Sequence, residues 1–476
     1  MDSPTRRDFL KSSVAGAAGL AVGSKAHPAN AAKGAWQPGT NVNPSIDNLR
    51  AVVCHDESMI GSDNGTIPTD FDEQNAAVDT QKVHENMDRM AMALARKGTA
   101  AEAWGTIFQE PAKGWAQSRA AIKVNCIASH FLVRLAVVDK VCRELIDLGI
   151  EPGNITIYDA DHKAYGKYAS YVGNGLPDNV HVQTNAEAGM RDDMAYGSYS
   201  WSCTNLLYKN NGGTPEYPSD ILVNCAINKG HSQNNKGGFT LTMKNHVGSM
   251  KFSCPSLNEM IAMNMSDAIL GGTPTRQQLC IVDSIWAMKD GPTGNHLVSN
   301  HRLAMSTFGP VLDYLVATRI REPVDIMDMN NYPNSSYHIN HEALDTILES
   351  FGYDPSSEEI RNLDFVDAAD YVQARRSLGA SPRGSSLTVE FRPAGGAYRM
   401  SRTTIRLPSL STTPRITITD PKGRVVRRQV AGSAGAGATT LSWDGRDERG
   451  RQVGAGTYLV TCREAPGVVG RLTVRR

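Results

Sequence analysis

Between Asn48 and Arg375 the apolar residues follow two alternating patterns. Short apolar runs at Arg50–Cys54, Ala120–Cys126, Asn154–Asp159, Val180–Gln183, Asp220–Cys225 and Gln278–Asp283 read as buried strands. Longer stretches between them carry helical spacing. Over Thr80–Arg96 the apolar positions are Val83, Met87, Met90 and Leu94; over Leu132–Leu148 they are Leu135, Val138, Val141, Cys142, Leu145 and Leu148. Gly149 and Pro152-Gly153 stop the second of these helices. Further helices are predicted near Ser256–Leu270, Val311–Arg321 and His341–Phe351. Strands alternating with helices predict an α/β domain over 48–375, with a largely parallel sheet covered by helices on both faces.

The pattern changes after Arg376. Residues 376–386 are rich in Ser, Gly and Pro and read as a linker. Beyond it, over 387–476, come short strands at Leu387–Phe391, Thr403–Leu407, Arg415–Thr419, Thr440–Trp443, Thr457–Cys462 and Gly470–Val474, with turns at Pro421-Lys422-Gly423 and Asp447–Gly450. This predicts a small all-β, immunoglobulin-like sandwich. Charge sharpens the division. The segment 387–476 holds 16 Arg and Lys against 6 Asp and Glu, while the whole chain is neutral. The surplus reads either as arginines on solvated strand faces or as a surface for an anionic polymer; nothing in it calls for nucleic acid.

The first 31 residues stand apart. Thr5-Arg6-Arg7-Asp8-Phe9-Leu10-Lys11 precedes a weakly apolar run from Val14 to Val22, and Ala29-Asn30-Ala31 follows. This order is that of a twin-arginine signal with a small-residue cleavage site. It predicts export by the twin-arginine translocation machinery to the periplasm or beyond. The run is too short for a membrane span, and no later stretch supplies a transmembrane segment.

The chemistry-bearing residues gather at predicted strand ends, where an open parallel sheet binds ligands. They are Cys54-His55-Asp56, Asn125-Cys126, Asp159-Ala160-Asp161-His162, Asn224-Cys225 and Asp283. Cys54, Cys126 and Cys225, with His231 or His246, read either as ligands of a soft metal ion or iron–sulfur cluster, or as small buried hydrophobes. None of the eight cysteines forms Cys-x-x-Cys, so ferredoxin runs and c-type haem attachment are excluded. Asp159 and Asp161 share a strand face and suit acid–base work or a divalent cation; alternatively Asp161 caps a helix. The Gly-, Asn- and Lys-rich stretch 228–238 suits an anion, with Lys123, Lys229, Lys244 and His246 as its cations. It is neither a P-loop nor a dinucleotide fingerprint, and no Gly-x-Ser-x-Gly or His-Glu-x-x-His element is present. A Val-Asn-Cys triplet occurs at 124–126 and at 223–225, each copy followed by a histidine, His130 and His231.

Two resemblances carry expectations of their own. Ile122-Lys-Val-Asn125, Asp220–His231, Phe239–Gly248 with its Met-Lys-Asn-x-x-Gly element, and Ile281-Val-Asp283 with Asp290–Gly294 resemble the family known as domain of unknown function 362, over about 48–330. That resemblance implies a domain identity without an established reaction. Members often carry ferredoxin modules, and these are missing here. Ile416–Arg424, Trp443–Arg451 and Ala455–Tyr458 resemble a flagellar-hook-cap-type immunoglobulin-like domain, which implies attachment or spacing. Together these readings predict an exported, redox-linked or metal-assisted enzyme acting on an anionic small molecule. Its catalytic candidates are Lys229, His231, Lys244, Asp159 and Asp161, and its ligand-binding candidates Lys123, Asn125, Asn245, His246 and Asp283. The alternative is a non-catalytic ligand-binding or cell-surface protein with the sandwich as anchor or spacer.

Overall fold

The structure is a computed structural model. It describes residues 36–61, 67–160, 167–190, 192–230, 239–250, 256–289, 291, 293–294, 296–321, 341–379, 388–392, 402–407, 415–420, 424–430, 439–454, 456–462 and 465–474. The expected signal over 1–31, and Asp161, His162 and His231, lie outside the described residues. Two compact units divide the chain, Met1–Ala368 and Ala369–Arg476.

The first unit is built on one sheet. Its strands are β1 (Ala51–His55), β2 (Ala120–Lys123), β3 (Ile155–Asp159) and β4 (His181–Thr184). Two hairpins follow, β5 (Asp192–Tyr196) with β6 (Tyr199–Cys203), and β7 (Lys209–Asn211) with β8 (Thr214–Glu216). The chain then returns to the sheet with β9 (Ile221–Gly230), β10 (Phe239–Thr240), β11 (Gln277–Met288), β12 (Leu297–Ser306) and β13 (Val366–Asp367). The order is β13-β1-β12-β11-β9-β2-β3-β4, with β10 beside β9. Pairing is parallel from β11 through β9, β2 and β3 to β4, and between β1 and β13. The predicted parallel sheet is therefore present. β12, which periodicity did not reveal, runs against both β1 and β11. Strands β9 and β11 are buried along their whole length, as central strands covered on both faces must be.

Alternation along the strands assigns the two faces. Ala51, Ala121, Leu222, Cys280, Val282 and Ala304 pack beneath the helices Leu257–Met265, Gly309–Leu315 and His341–Ser350. The intervening residues face the helices Thr80–Ala95, Ala100–Ile107 and Leu135–Asp147. Thr80–Ala95 begins where the Asp79 carboxylate caps the Lys82 N–H at 3.0 Å and ends at Arg96, in the left-handed conformation at φ 56°. Val83, Met87, Met90 and Leu94 are all buried, as their spacing predicts. Among the described residues no helix is long and apolar enough to cross a membrane.

The second unit contains antiparallel strands, in sheets of three and four. Thr388–Arg392, Arg402–Leu407 and Thr439–Trp443 form one; Val425–Val430, Arg415–Thr419, Gly456–Cys462 and Ala465–Val474 form the other. Residues 376–379, read from sequence as the start of a linker, instead close the helix Ala368–Gly379. Trp443 is 1 % exposed, packs edge-on against Tyr458 at 5.4 Å between ring centroids, and donates its indole N–H to Arg446 O at 2.8 Å. Replacing it removes a large apolar volume and leaves the Arg446 carbonyl without its donor. Trp443→Ala should lower the stability of the second unit by about 3–5 kcal/mol. In a chemical denaturation followed by proteolysis, cleavage within 388–474 should move to lower denaturant while cleavage of the first unit stays put.

Candidate functional site

The site lies at the carboxyl ends of β2, β3 and β9, where the parallel register sets Lys123 level with both Tyr158 and Asn224. Lys123 is fully buried. Its Nζ donates to Asp159 Oδ1 at 2.7 Å, to Asn245 Oδ1 at 3.2 Å and to Val124 O at 2.5 Å. All three ammonium protons are used. Asp159 Oδ2 accepts the Cys126 N–H at 2.6 Å, and Oδ1 also accepts the Ala160 N–H at 2.7 Å. This pair is an internal latch between two strand ends. It differs from the ligand-facing lysine and catalytic carboxylate expected from sequence.

Asn245 is the hub. Its Nδ2 donates to Asn224 Oδ1 at 2.8 Å and to Cys225 O at 3.1 Å. Its Oδ1 accepts from Lys123 and from Asn125 Nδ2 at 3.1 Å. The other end of the Asn125 amide accepts from Lys229 Nζ at 2.5 Å. Lys229 is 1 % exposed, and its pKa is pushed down to about 7. Burial is the largest cause; the charges of Lys123 and Lys244 add to it, while Asp159 and Cys126 oppose it. Lys244 is half-buried, as is Asn125. The site thus joins Lys229, Asn125, Asn245, Lys123, Asp159 and the positive charge of Lys244.

His246 does not share this role. It is fully buried, with Nε2 at 2.6 Å from Gln277 Oε1 and Nδ1 at 3.0 Å from Ser249 Oγ, which Tyr158 OH approaches at 2.9 Å. An Nε2–H donated to Gln277, with Nδ1 accepting from Ser249, satisfies the ring. Burial holds its pKa down at about 3, so it stays neutral. Asp283 is also committed elsewhere. Its Oδ2 accepts the Arg134 N–H at 2.7 Å and lies 3.6 Å from Arg134 Nε, while Oδ1 accepts the Ile285 N–H at 3.1 Å. Burial raises its pKa against these opposing contacts. It fixes the loop that leads into the helix Leu135–Asp147.

The thiols do not converge. Cys54 pairs in register with Leu303, Leu303 with Asp283, and Asp283 with Ile227, two residues from Cys225. Three strand spacings separate Cys54 from Cys225, about 14 Å. One ion with bonds of about 2.3 Å cannot take both. Burial, followed by the charges of Asp56 and Asp367, raises the Cys54 thiol to about 12; burial also raises Cys225. Cys126 is buried and gives its backbone N–H to Asp159. Among the described residues no three His, Cys, Asp or Glu side chains gather as a metal site. A cavity of about 240 Å³ opens at the opposite, amino edge of the sheet. There Lys113 is held by Asp220 at 2.8 Å, and Arg276 lies over the Tyr217 ring at 3.7 Å.

Residues 121–318 match the family model described as Domain of unknown function (DUF362). This span is narrower than the 48–330 expected, and it contains every residue of the latch. Residues 394–466 match the model of the FlgD Ig-like domain. Among solved structures, the chain is similar to FlgD from P. aeruginosa, at 26 % identity over 15 % of this chain and 56 % of that one, with a TM-score of 0.12. It also aligns with an engineered protein at 12 % identity over 93 % of this chain and 100 % of that one, with a TM-score of 0.14. Neither score amounts to a shared overall fold. The search of curated proteins found no match.

Within the DUF362 span, two glycines from the recognised motifs have physical roles. A Cβ at Gly248 would sit 2.2 Å from Asp159 Oδ1 and 2.8 Å from Lys123 Nζ. A Cβ at Gly291 would meet Gly230 O at 2.1 Å, so Gly291 rests on the end of β9, and Gly294 O lies 2.9 Å from His130 Nε2. Sequence reasoning missed Asp313. It is fully buried and accepts from Thr242 N at 2.9 Å, Thr242 Oγ1 at 2.6 Å and Met243 N at 2.9 Å, and so anchors the start of the Met-Lys-Asn segment. Its partners lie 70 residues away, and no local spacing announces them.

Gly248→Ala should force the latch apart and cost about 3–5 kcal/mol, the loss expected when a buried ion pair is broken. Urea denaturation of the variant would measure it. An unchanged midpoint would show that the latch tolerates a Cβ.

Proposed function

We propose that the first unit is an enzyme that binds an anionic small molecule at the carboxyl edge of its sheet and removes a proton from it with the Lys229 amine. The observation that supports this most is the state of Lys229: a buried lysine whose pKa of about 7 leaves much of it as the free amine at neutral pH. A general base works best when its pKa is close to the operating pH, and lysines acquire such values by burial beside other cations. Lys244 supplies the charge for the substrate's anionic group. Asn125 holds Nζ in place through an amide that the latch itself orients. This reading keeps the expectation of an enzyme for an anionic substrate and places the chemistry on an amine. The metal-assisted and redox-linked versions would need ligands beyond the dispersed Cys54, Cys126 and Cys225.

The protonation state is measurable without a substrate. Between pH 7 and 10.5 the unfolded chain holds a proton on Lys229 that the folded chain lacks, so this group makes stability rise with pH across that window. Below about pH 7 both states are protonated and the slope vanishes. Unfolding free energies of wild type and Lys229→Met should therefore diverge between pH 7 and 10. Parallel curves would mean that Lys229 stays charged and would rule out its role as base. For turnover, carboxylates and phosphate esters with an acidic C–H, incubated in D₂O, should include one that exchanges its proton with wild type. That rate should climb through about pH 7 and fall about 10²- to 10⁴-fold in Lys229→Met.

We also propose that the chain is exported by the twin-arginine translocation machinery, on the strength of Arg6-Arg7 and the residues that follow. Replacing both with lysine should leave the protein in the cytoplasmic fraction. Undiminished export would refute the assignment.

A further inference from the structure

Arg321 closes the helical turn Val316–Arg321 and has no exposed surface. Its Nη1 donates to Asn228 Oδ1 at 2.5 Å. Among the described residues, Nε and Nη2 have no hydrogen-bond partner. These two nitrogens form one edge of the guanidinium, the edge on which carboxylates and phosphates are held by two parallel bonds. A buried guanidinium with that edge open bears a desolvation cost that nothing in its described surroundings offsets. Its pKa falls to about 9 through burial, and at neutral pH it remains a cation.

The groups around it point the same way. Asn228 Nδ2 donates to Ser284 Oγ at 2.8 Å, and Asn300 Nδ2 donates to the same oxygen at 2.5 Å. Ser284 thus accepts twice and retains its hydroxyl proton to give. Arg302 Nη1 donates to Asn300 Oδ1 at 2.6 Å and to Asn300 O at 3.0 Å. This hydrogen-bonded cluster holds two arginines and, among the described residues, no carboxylate. It lies where β9, β11 and β12 come together, on the sheet face covered by the helix Gly309–Leu315.

We propose that Arg321, held by Asn228 and backed by Ser284 and Arg302, is a second anion site that takes the oxyanion of a small molecule, a carboxylate or a phosphate group, on the Nε–Nη2 edge. The proposal does not rest on the Lys229 reading. Asn228 and Lys229 are neighbours on β9 and project to opposite faces of the strand.

The test uses the full chain. Its unfolding midpoint is followed against millimolar phosphate, acetate or malonate, with chloride at matched ionic strength as reference. Wild type should be stabilised saturably by at least one oxyanion. A response to phosphate alone assigns a phosphate group; a response to acetate or malonate assigns a carboxylate. Arg321→Lys keeps the charge and loses the planar edge, and should weaken the apparent Kd at least about tenfold. Asn228→Asp is isosteric and sets a carboxylate on the guanidinium; it should fold and also lose the response, and it decides the matter if Arg321→Lys does not fold. No saturable response in wild type, or equal responses in wild type and Asn228→Asp, would overturn the proposal.

Discussion

The buried pairing of Lys123 with Asp159 is the constraint on which the rest of the site depends. Two charges taken out of water are tolerable only when their attraction is joined by hydrogen bonds to every remaining proton and most lone pairs. That condition is met here by groups from three places: Val124 and Cys126 just past β2, Ala160 just past β3, and Asn245 from the Met-Lys-Asn segment. Satisfying the charges therefore decides how two strands end and where a third segment docks. Gly248 is the matching void, since any larger residue would enter the pair.

Two lysines about one amide apart have opposite fates for this reason. Lys123 faces a carboxylate and spends all its protons on fixed acceptors. Lys229 reaches the same network through a neutral amide, and its burial outweighs the pull of Asp159 and Cys126. Burial is common to both; their partners differ, a carboxylate for one and a neutral amide for the other. His246 shows a third outcome, in which burial beside Gln277 and Ser249 makes an imidazole a permanently neutral packing element.

The alternation of apolar runs made most of the α/β unit readable, because strands such as β9 and β11, covered on both faces, are apolar along most of their length and place their polar residues only where a partner receives them. β12 escaped because its outer half, Leu297–Arg302, is half-exposed and mixed in character. The hairpin β7–β8 is short, polar and exposed and left no periodic signal, whereas β6 alternates as Tyr-Ser-Trp-Ser-Cys over only five residues. In the site, the motif glycines and the Lys-Asn pair were legible as residues, yet their division into latch and reactive group was not. That division rests on contacts such as Lys123 to Asn245, 122 positions apart. Asp313, Gln277 and Arg321 were invisible for the same reason: a buried polar residue is defined by partners that sequence spacing does not name.

The reversal of β12 has a consequence for what borders the site. Where consecutive strands of the sheet run parallel, as from β2 to β3 and from β3 to β4, the connection must leave the carboxyl edge and return to the amino edge before the next strand begins. β11 and β12 instead meet as neighbours running in opposite directions, with Met288 opposite Leu297. Met288 and Leu297 thus leave the sheet at the same edge, and Gly291 between them stands against Gly230 at the end of β9. The fold therefore seats the Lys229 end of β9 beside a hairpin connection whose Gly291 has no room to grow a side chain.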